Sequence, residues 1–135
     1  MVTKTKFRKE CIKKISKQNS VKQIDYQIMN NILKIIKIEK PKNILSYFPL
    51  EKEVDIYKLN LLLKRDKNLN IYFPLIIGDR FEIVKFRYPL YKNSFGIKES
   101  KGYPHKRVKI DLAIVPILGI DKSFKRVGFG KGMYD

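Results

Sequence analysis

The chain is poor in several residues on which much protein chemistry depends. It has no tryptophan, one cysteine and one histidine. The lone Cys11 excludes an internal disulfide and a multi-cysteine metal centre. The lone His105 is followed by Lys106 and Arg107, which reads as a solvated position, and no Ser/His/Asp or Cys/His nucleophile set can be assembled around it. No apolar run approaches the roughly 20 residues of a membrane span. Charged residues recur too early for a signal peptide. These absences favour the cytoplasm. Acidic residues are also scarce, 13 against 30 lysines and arginines, for a net charge of +17. Such an excess attracts polyanions: a phosphorylated ligand, a polyglutamate tail or nucleic acid. The basic residues are spread along the chain, and lysine, isoleucine and asparagine are over-used throughout. Compositional bias with general anion attraction therefore ranks ahead of a nucleic-acid-binding module. That alternative rests on Tyr88, Tyr91, Phe95 and Tyr103, interleaved with lysines, which could stack on bases or on a flat heterocyclic ligand.

What is present is an apolar content of 44% in 135 residues, enough for one domain spanning residues 1–135 with its own core. Residues 4–18 read as a basic amphipathic helix with Phe7, Cys11, Ile12 and Ile15 on one face. Residues 21–38 form a second helix, with Val21, Ile24, Ile28, Ile32 and Ile35 as its stripe, Leu33 and Ile36 widening it, and Ser20 as N-cap. Residues 43–48 are a short buried strand. Glu51, Glu53 and Asp55 follow at its carboxyl end, where open α/β sheets bind ligands. A helix over roughly 54–66 turns Ile56, Leu59 and Leu63 inward. Residues 71–87 read as a hairpin turning at Gly78-Asp79, with Pro74 marking an edge or a bulge. Residues 88–107 form an ordered excursion. Residues 108–116 read as a central buried strand. This order predicts a three-layer α/β/α fold with a mostly parallel sheet.

The last ten residues, Arg126 to Asp135, carry glycines at 128, 130 and 132 with Lys131 between two of them. Alternate glycines allow backbone N–H groups to converge on an anion. Arg126 and Lys131 add charge for phosphates. Asp135 adds a hard oxygen of the kind Mg²⁺ prefers. The run is neither a Walker A loop nor a dinucleotide fingerprint, because the spacing differs from both.

With its neighbours, the run resembles the signature of the 5-formyltetrahydrofolate cyclo-ligase (methenyltetrahydrofolate synthetase) family. Asp111-Leu112, Val115-Pro116 and Asp121 stand ahead of it as in that family. Lys4 to Arg8 match its opening K-x-x-L-R, with Phe7 for Leu. Tyr47 to Leu50 leading to Glu53-Val54-Asp55 match its first strand and acidic segment. Gly96-Ile97-Lys98-Glu99 match its G-I-x-E-P, with Ser100 where Pro is usual. The resemblance implies an ATP- and Mg²⁺-dependent reaction. The formyl oxygen of 5-formyltetrahydrofolate attacks the γ-phosphate, and the neighbouring nitrogen closes the ring to 5,10-methenyltetrahydrofolate, releasing ADP and phosphate. It implies that Lys4, Thr5, Lys6, Phe7 and Arg8, with Arg126, Val127, Gly128, Phe129, Gly130, Lys131, Gly132, Met133 and Tyr134, line the ATP site. Phe48 would pack on the folate, and Glu53 would hydrogen-bond its pterin edge. Phe129 to Met133 would border both ligands, and Asp135 would bind Mg²⁺. Lys131 is the residue expected to stabilise transition-state charge. The substrate is expected with or without a polyglutamate tail, and the protein as a monomer. Family members continue beyond the Tyr-Asp pair with a further helix and strand, so a form lacking that segment is expected to have impaired activity or to be an inactive remnant.

Overall fold

The computed structural model describes residues 3–16, 21–93, 96–100, 102–105 and 107–128, with the side chains of Ser16 and Val21 set aside. Eleven elements follow in order: α1 (Lys4–Ser16), α2 (Val21–Glu39), β1 (Asn43–Leu45), α3 (Tyr57–Arg65), β2 (Asn70–Ile77), β3 (Arg80–Lys85), β4 (Leu90–Lys92), β5 (Lys98–Ser100), β6 (Leu112–Ala113), β7 (Gly119–Ile120) and β8 (Arg126–Val127). The main sheet has the order β3-β2-β1-β6. β1 pairs in parallel with β2 and β6, and β2 pairs antiparallel with β3. β4–β5 and β7–β8 are separate antiparallel ribbons. The architecture is α/β with a mixed sheet, two of its three pairings being parallel.

β1, α3 and β2 form a β-α-β unit; α3 buries Leu59 and Leu63, and Ile56, just ahead of it at the N-cap, is buried with them, as the spacing predicts. These side chains join Ile44, Tyr47, Ile71, Phe73 and Phe86 and, from α2, Ile36 in one core. Met29, Ile32 and Leu33 pack on its margin. Ile35, expected in the stripe, is 47% exposed. The seven apolar residues proposed for α2 span more of the helix than one contact face can bury. The helix ends at Lys40, whose φ of 48° is left-handed and whose N–H donates to Ile36 O at 2.9 Å. Pro41 follows and cannot continue the helix.

Two local features keep the parallel pairing short. The β1–β2 ladder runs from Asn70 N donating to Lys42 O (2.8 Å) to Ser46 N donating to Tyr72 O (2.9 Å). The next rung would need an N–H at residue 74, which is proline. Pro74 lies opposite Ile83 of β3, beyond the last β1 partner, so β2 is interior at one end and one-sided at the other. On the far side of β1, Asp111 N donates to Asn43 O (2.9 Å) and Ile114 N to Leu45 O (2.8 Å). That segment advances three residues while β1 advances two, so one extra residue disturbs its alternation. Residues 108–116, expected as a central buried strand, therefore contribute only β6. It is an edge strand among the described residues, with Leu112 half-buried and Ala113 exposed.

The carboxylate of Asp111 fastens this edge. Its Oδ2 accepts from Lys42 N (3.0 Å) and Asn43 N (2.9 Å). The Asn43 and Lys42 N–H groups hold the carboxyl below the usual carboxylate range. Beneath β1, buried Asn60 accepts from Ser46 Oγ and donates to Tyr47 O (2.9 Å), which satisfies the Ser46 hydroxyl and the Tyr47 carbonyl beyond the end of the ladder. No described helix is long and apolar enough to cross a membrane.

Candidate functional site

The chain leaving β1 turns sharply before α3. Glu53 closes that turn: its backbone N–H donates to Leu50 O (3.1 Å), and its Oε1 accepts from Leu50 N (2.8 Å). The turn forms one wall of a cavity of about 720 Å³ at the carboxyl end of β1. Its lining includes Phe48, Glu51, Glu53, Tyr57, Tyr88 and Lys98. Phe48 is tilted against Tyr57 (centroids 5.4 Å) and edge-on to Phe73 (6.3 Å), so the core fixes its ring. The Tyr57 and Tyr88 hydroxyls meet at 3.0 Å, and this contact raises the Tyr88 phenol above its ordinary value. Tyr88 precedes a cis peptide bond to Pro89. Lys98 Nζ lies 4.7 Å from the Phe48 ring centroid.

Asp25 of α2 and Asp55 also reach this cavity, and both border a smaller one of about 460 Å³ between α2 and α3. Burial raises Asp25 above the ordinary carboxylate value. The Asp55 N–H pulls it back, and the Asp55 charge pushes it up further. Among the described residues the larger cavity is thus lined by four carboxylates, of Asp25, Glu51, Glu53 and Asp55, and by the one ammonium of Lys98. In a chain of charge +17 this is a local inversion of sign.

The β4–β5 ribbon that carries Lys98 is firmly seated. Glu99, 8% exposed, accepts from Asn93 Nδ2 and, at 3.4 Å, from Ile76 N, which joins the ribbon to β2. Ser100 Oγ accepts from Arg87 N at 3.0 Å. A proline at that position could not make this bond, so the departure from the resembled motif has a structural use here.

A second group of expected residues meets elsewhere. Arg8 Nε donates to Gly128 O at 3.0 Å, across 120 residues of sequence. A Cβ on Gly119 would lie 2.9 Å from two carbons of the Phe7 ring and 3.5 Å from Cys11 Sγ, so the missing side chain lets α1 lie directly on β7. Thr3 Oγ1 accepts from Lys6 N (3.2 Å) at the start of α1. The first turn of α1 contains no acid. Asp121 shapes the turn before β8, accepting from Ser123 N (2.8 Å), Ser123 Oγ (2.8 Å) and Lys125 N (2.9 Å). These donors, Lys125 N–H foremost, hold its carboxyl below the usual range. Lys4, Thr5 and Lys6 are exposed, while Phe7, Arg8, Arg126, Val127 and Gly128 are half-buried. Phe129, Gly130, Lys131, Gly132, Met133, Tyr134 and Asp135 lie outside the described residues. Among the described residues no group of three His, Cys, Asp or Glu side chains converges as a metal site would require.

Phe48 and Glu53, singled out in the sequence, line one cavity, and Arg8 meets Gly128 in another region. Sequence reasoning did not single out Asp25, Tyr57 or Lys98 as lining residues. For Lys98 the signals are the mixture of tyrosines and lysines after residue 87 and the Gly96-Ile97-Lys98-Glu99 match; local spacing does not point to Asp25 or Tyr57.

The sequence model of the 5-formyltetrahydrofolate cyclo-ligase family matches residues 2–135. This chain belongs to that family. It is 28% identical over 121 residues to the 5-formyltetrahydrofolate cyclo-ligase of Haemophilus influenzae, covering 84% of this chain and 64% of that protein. It is 29% identical over 139 residues to the corresponding protein of Mycoplasma genitalium, covering 100% of this chain and 76% of the relative. The NMR structure of Aquifex aeolicus 5,10-methenyltetrahydrofolate synthetase superposes with a TM-score of 0.81 at 25% identity, over 99% of this chain and 71% of the other. The Mycoplasma pneumoniae 5,10-methenyltetrahydrofolate synthetase shares the fold, with a TM-score of 0.72 at 23% identity over 98% and 75% of the two chains. The chain thus spans 64% to 76% of the length of these two curated relatives.

Proposed function

We propose that this chain carries the folate- and nucleotide-binding machinery of an ATP- and Mg²⁺-dependent ligase. The enzyme cyclises 5-formyltetrahydrofolate to 5,10-methenyltetrahydrofolate, with ADP and phosphate as co-products. The observation that carries the reading is the cavity in which Phe48 and Glu53 meet. A pterin is flat and has N–H donors along one edge. Phe48 offers it a ring to stack on, and the acids offer acceptors. Glu53 binds the donor edge, and its turn with Leu50 holds it in place before substrate arrives.

The region of Lys4–Arg8 and Arg126–Gly128 suits the opposite chemistry. Its guanidinium and ammonium groups take phosphate oxygens. The Arg8–Gly128 bond ties the start of α1 to the chain entering the glycine run, where Lys131 stabilises charge during transfer. Asp135 supplies the Mg²⁺ ligand of this reading. Bound Mg²⁺ supplies charge neutralisation at the phosphates. The same reading makes residues 1–135 one structural unit and the protein a cytoplasmic monomer, with a polyglutamate tail tolerated on the substrate.

The test is to mix protein, 5-formyltetrahydrofolate, ATP and Mg²⁺ and follow methenyltetrahydrofolate absorbance. The expected result is growth of that band only when both ATP and Mg²⁺ are present. Unchanged absorbance, with no rise in melting temperature on adding either ligand, would reject the reading.

A further inference from the structure

The ammonium of Lys98 is placed where a substrate must displace it. Phe48 is wedged against Tyr57 and Phe73, and Lys98 Nζ lies over the ring 4.7 Å from its centroid. Among the described residues, this ammonium rests on a ring although Asp25, Glu51, Glu53 and Asp55 line the same cavity. Its position is set by a firm base. Lys98 adjoins buried Ile97 and Glu99, and Glu99 is bonded to Asn93 and Ile76. The backbone is therefore held while the exposed side chain can swing.

A planar ligand that stacks on the face covered by Lys98 must move the ammonium off it. A folate has two unlike ends, a heterocycle rich in N–H donors and a glutamate with two carboxylates. The acid-lined interior attracts the first and repels the second. The carboxylates must therefore point outward, and among the described residues Lys98 is the only cation lining the cavity. We propose that Lys98 is a specificity-determining residue: it covers the Phe48 ring in the empty site and, once displaced by the heterocycle, pairs with the glutamate carboxylates of the substrate. This rests on the folate reading of the cavity above and adds to it which end of the substrate is read, and by what.

The test is calorimetric titration of the full chain, with a non-hydrolysable ATP analogue and Mg²⁺ present throughout. Two ligands are compared: 5-formyltetrahydrofolate and a 5-formyltetrahydropterin lacking the aminobenzoyl-glutamate tail. In Lys98→Met, 5-formyltetrahydrofolate should bind about fivefold more weakly at low salt, the upper range for an exposed ion pair. The tail-less ligand should bind about twofold more tightly, because no cation has to leave the ring. Preference for the tail-bearing ligand therefore falls about tenfold, and Lys98→Arg restores it. Raising the salt should erode the wild-type preference and leave that of Lys98→Met nearly flat. An unchanged preference in Lys98→Met, or equal weakening of both ligands, overturns the proposal. Lys98→Gln serves as a second neutral variant if Lys98→Met does not melt as the wild type does. A wild type that binds neither ligand overturns the folate reading itself, and that outcome is distinct from a wild type that binds both with no preference.

Discussion

The cavity beyond β1 and the meeting of α1 with the β7–β8 ribbon differ in charge and in how they are held. Among the described residues the cavity gathers four carboxylates around one ammonium, in a chain with more than twice as many basic as acidic residues. It is built on fully buried groups: Phe73 behind Phe48, and Asn60 beneath the end of β1. The α1–ribbon region is basic and half-exposed. The long-range bond from Arg8 to Gly128 and the close approach of Phe7 to Gly119 join it. A heterocycle needs a rigid surface and fixed acceptors, which a core can supply. A polyphosphate needs concentrated positive charge, which has to stay near water because buried, unpaired cations are costly. Each ligand class thus suits a different depth in the fold.

The contrast can be broken most forcefully from the core. Phe73→Ala should destabilise the protein by about 3–5 kcal/mol, as for a fully buried aromatic, and chemical denaturation would measure it. Substrate binding should fall with it, since Phe48 loses the ring behind it. Gly119→Ala should separate the two regions. The new methyl meets the Phe7 ring, and overpacking of this kind costs about 1–3 kcal/mol. Nucleotide affinity should drop while 5-formyltetrahydrofolate affinity is kept, by calorimetry with each ligand. Glu53→Gln retains an acceptor for Leu50 N–H but removes the charge. KM for 5-formyltetrahydrofolate should rise about tenfold, equivalent to about 1.4 kcal/mol, with KM for ATP unchanged.

The smallest effect is with pH. Asp121 in the ribbon turn and Asp111 beside β1 are held below the usual carboxylate range. Their contribution to stability is present above the unfolded value near about 4 and is lost as pH falls through the lowered value. Asp25 at the cavity has the opposite sign. Its raised pKa favours folding while it is protonated, and that contribution is lost as pH rises through the raised value. Acidification should therefore speed amide hydrogen exchange at residues 121–127 before it does so around Asp25 and Asp55.

How much of this was legible in the sequence depended on the range of the interaction. The α3 face, the hairpin at Gly78-Asp79 and the buried strand after Pro41 follow from local spacing, and the structure contains all three. The α2 stripe was read too broadly because seven apolar residues offer more than one face. Residues 108–116 were read as a central strand from their apolar run. An extra residue between two rungs and a lack of further pairing among the described residues leave them at the edge. For the site, Phe48 and Glu53 come from the resemblance to the cyclo-ligase family. The Tyr57–Tyr88 contact crosses 31 residues, and the approach of Lys98 to Phe48 is also long-range. No periodicity encodes such pairings, since they depend on where the β4–β5 ribbon and the chain leading into it come to rest against α3 and the turn after β1.

The most direct measurement is a residue-resolved map of amide chemical shifts on titration with each ligand separately. Two distinct sets of residues are the predicted result. 5-Formyltetrahydrofolate should move residues 48–57, 88 and 98, and Mg²⁺-ATP should move residues 4–8 and 119–128. Movement of residues 4–8 and 119–128 by 5-formyltetrahydrofolate, with residues 48–57 unperturbed, would contradict the assignment of the acid-lined cavity to the folate.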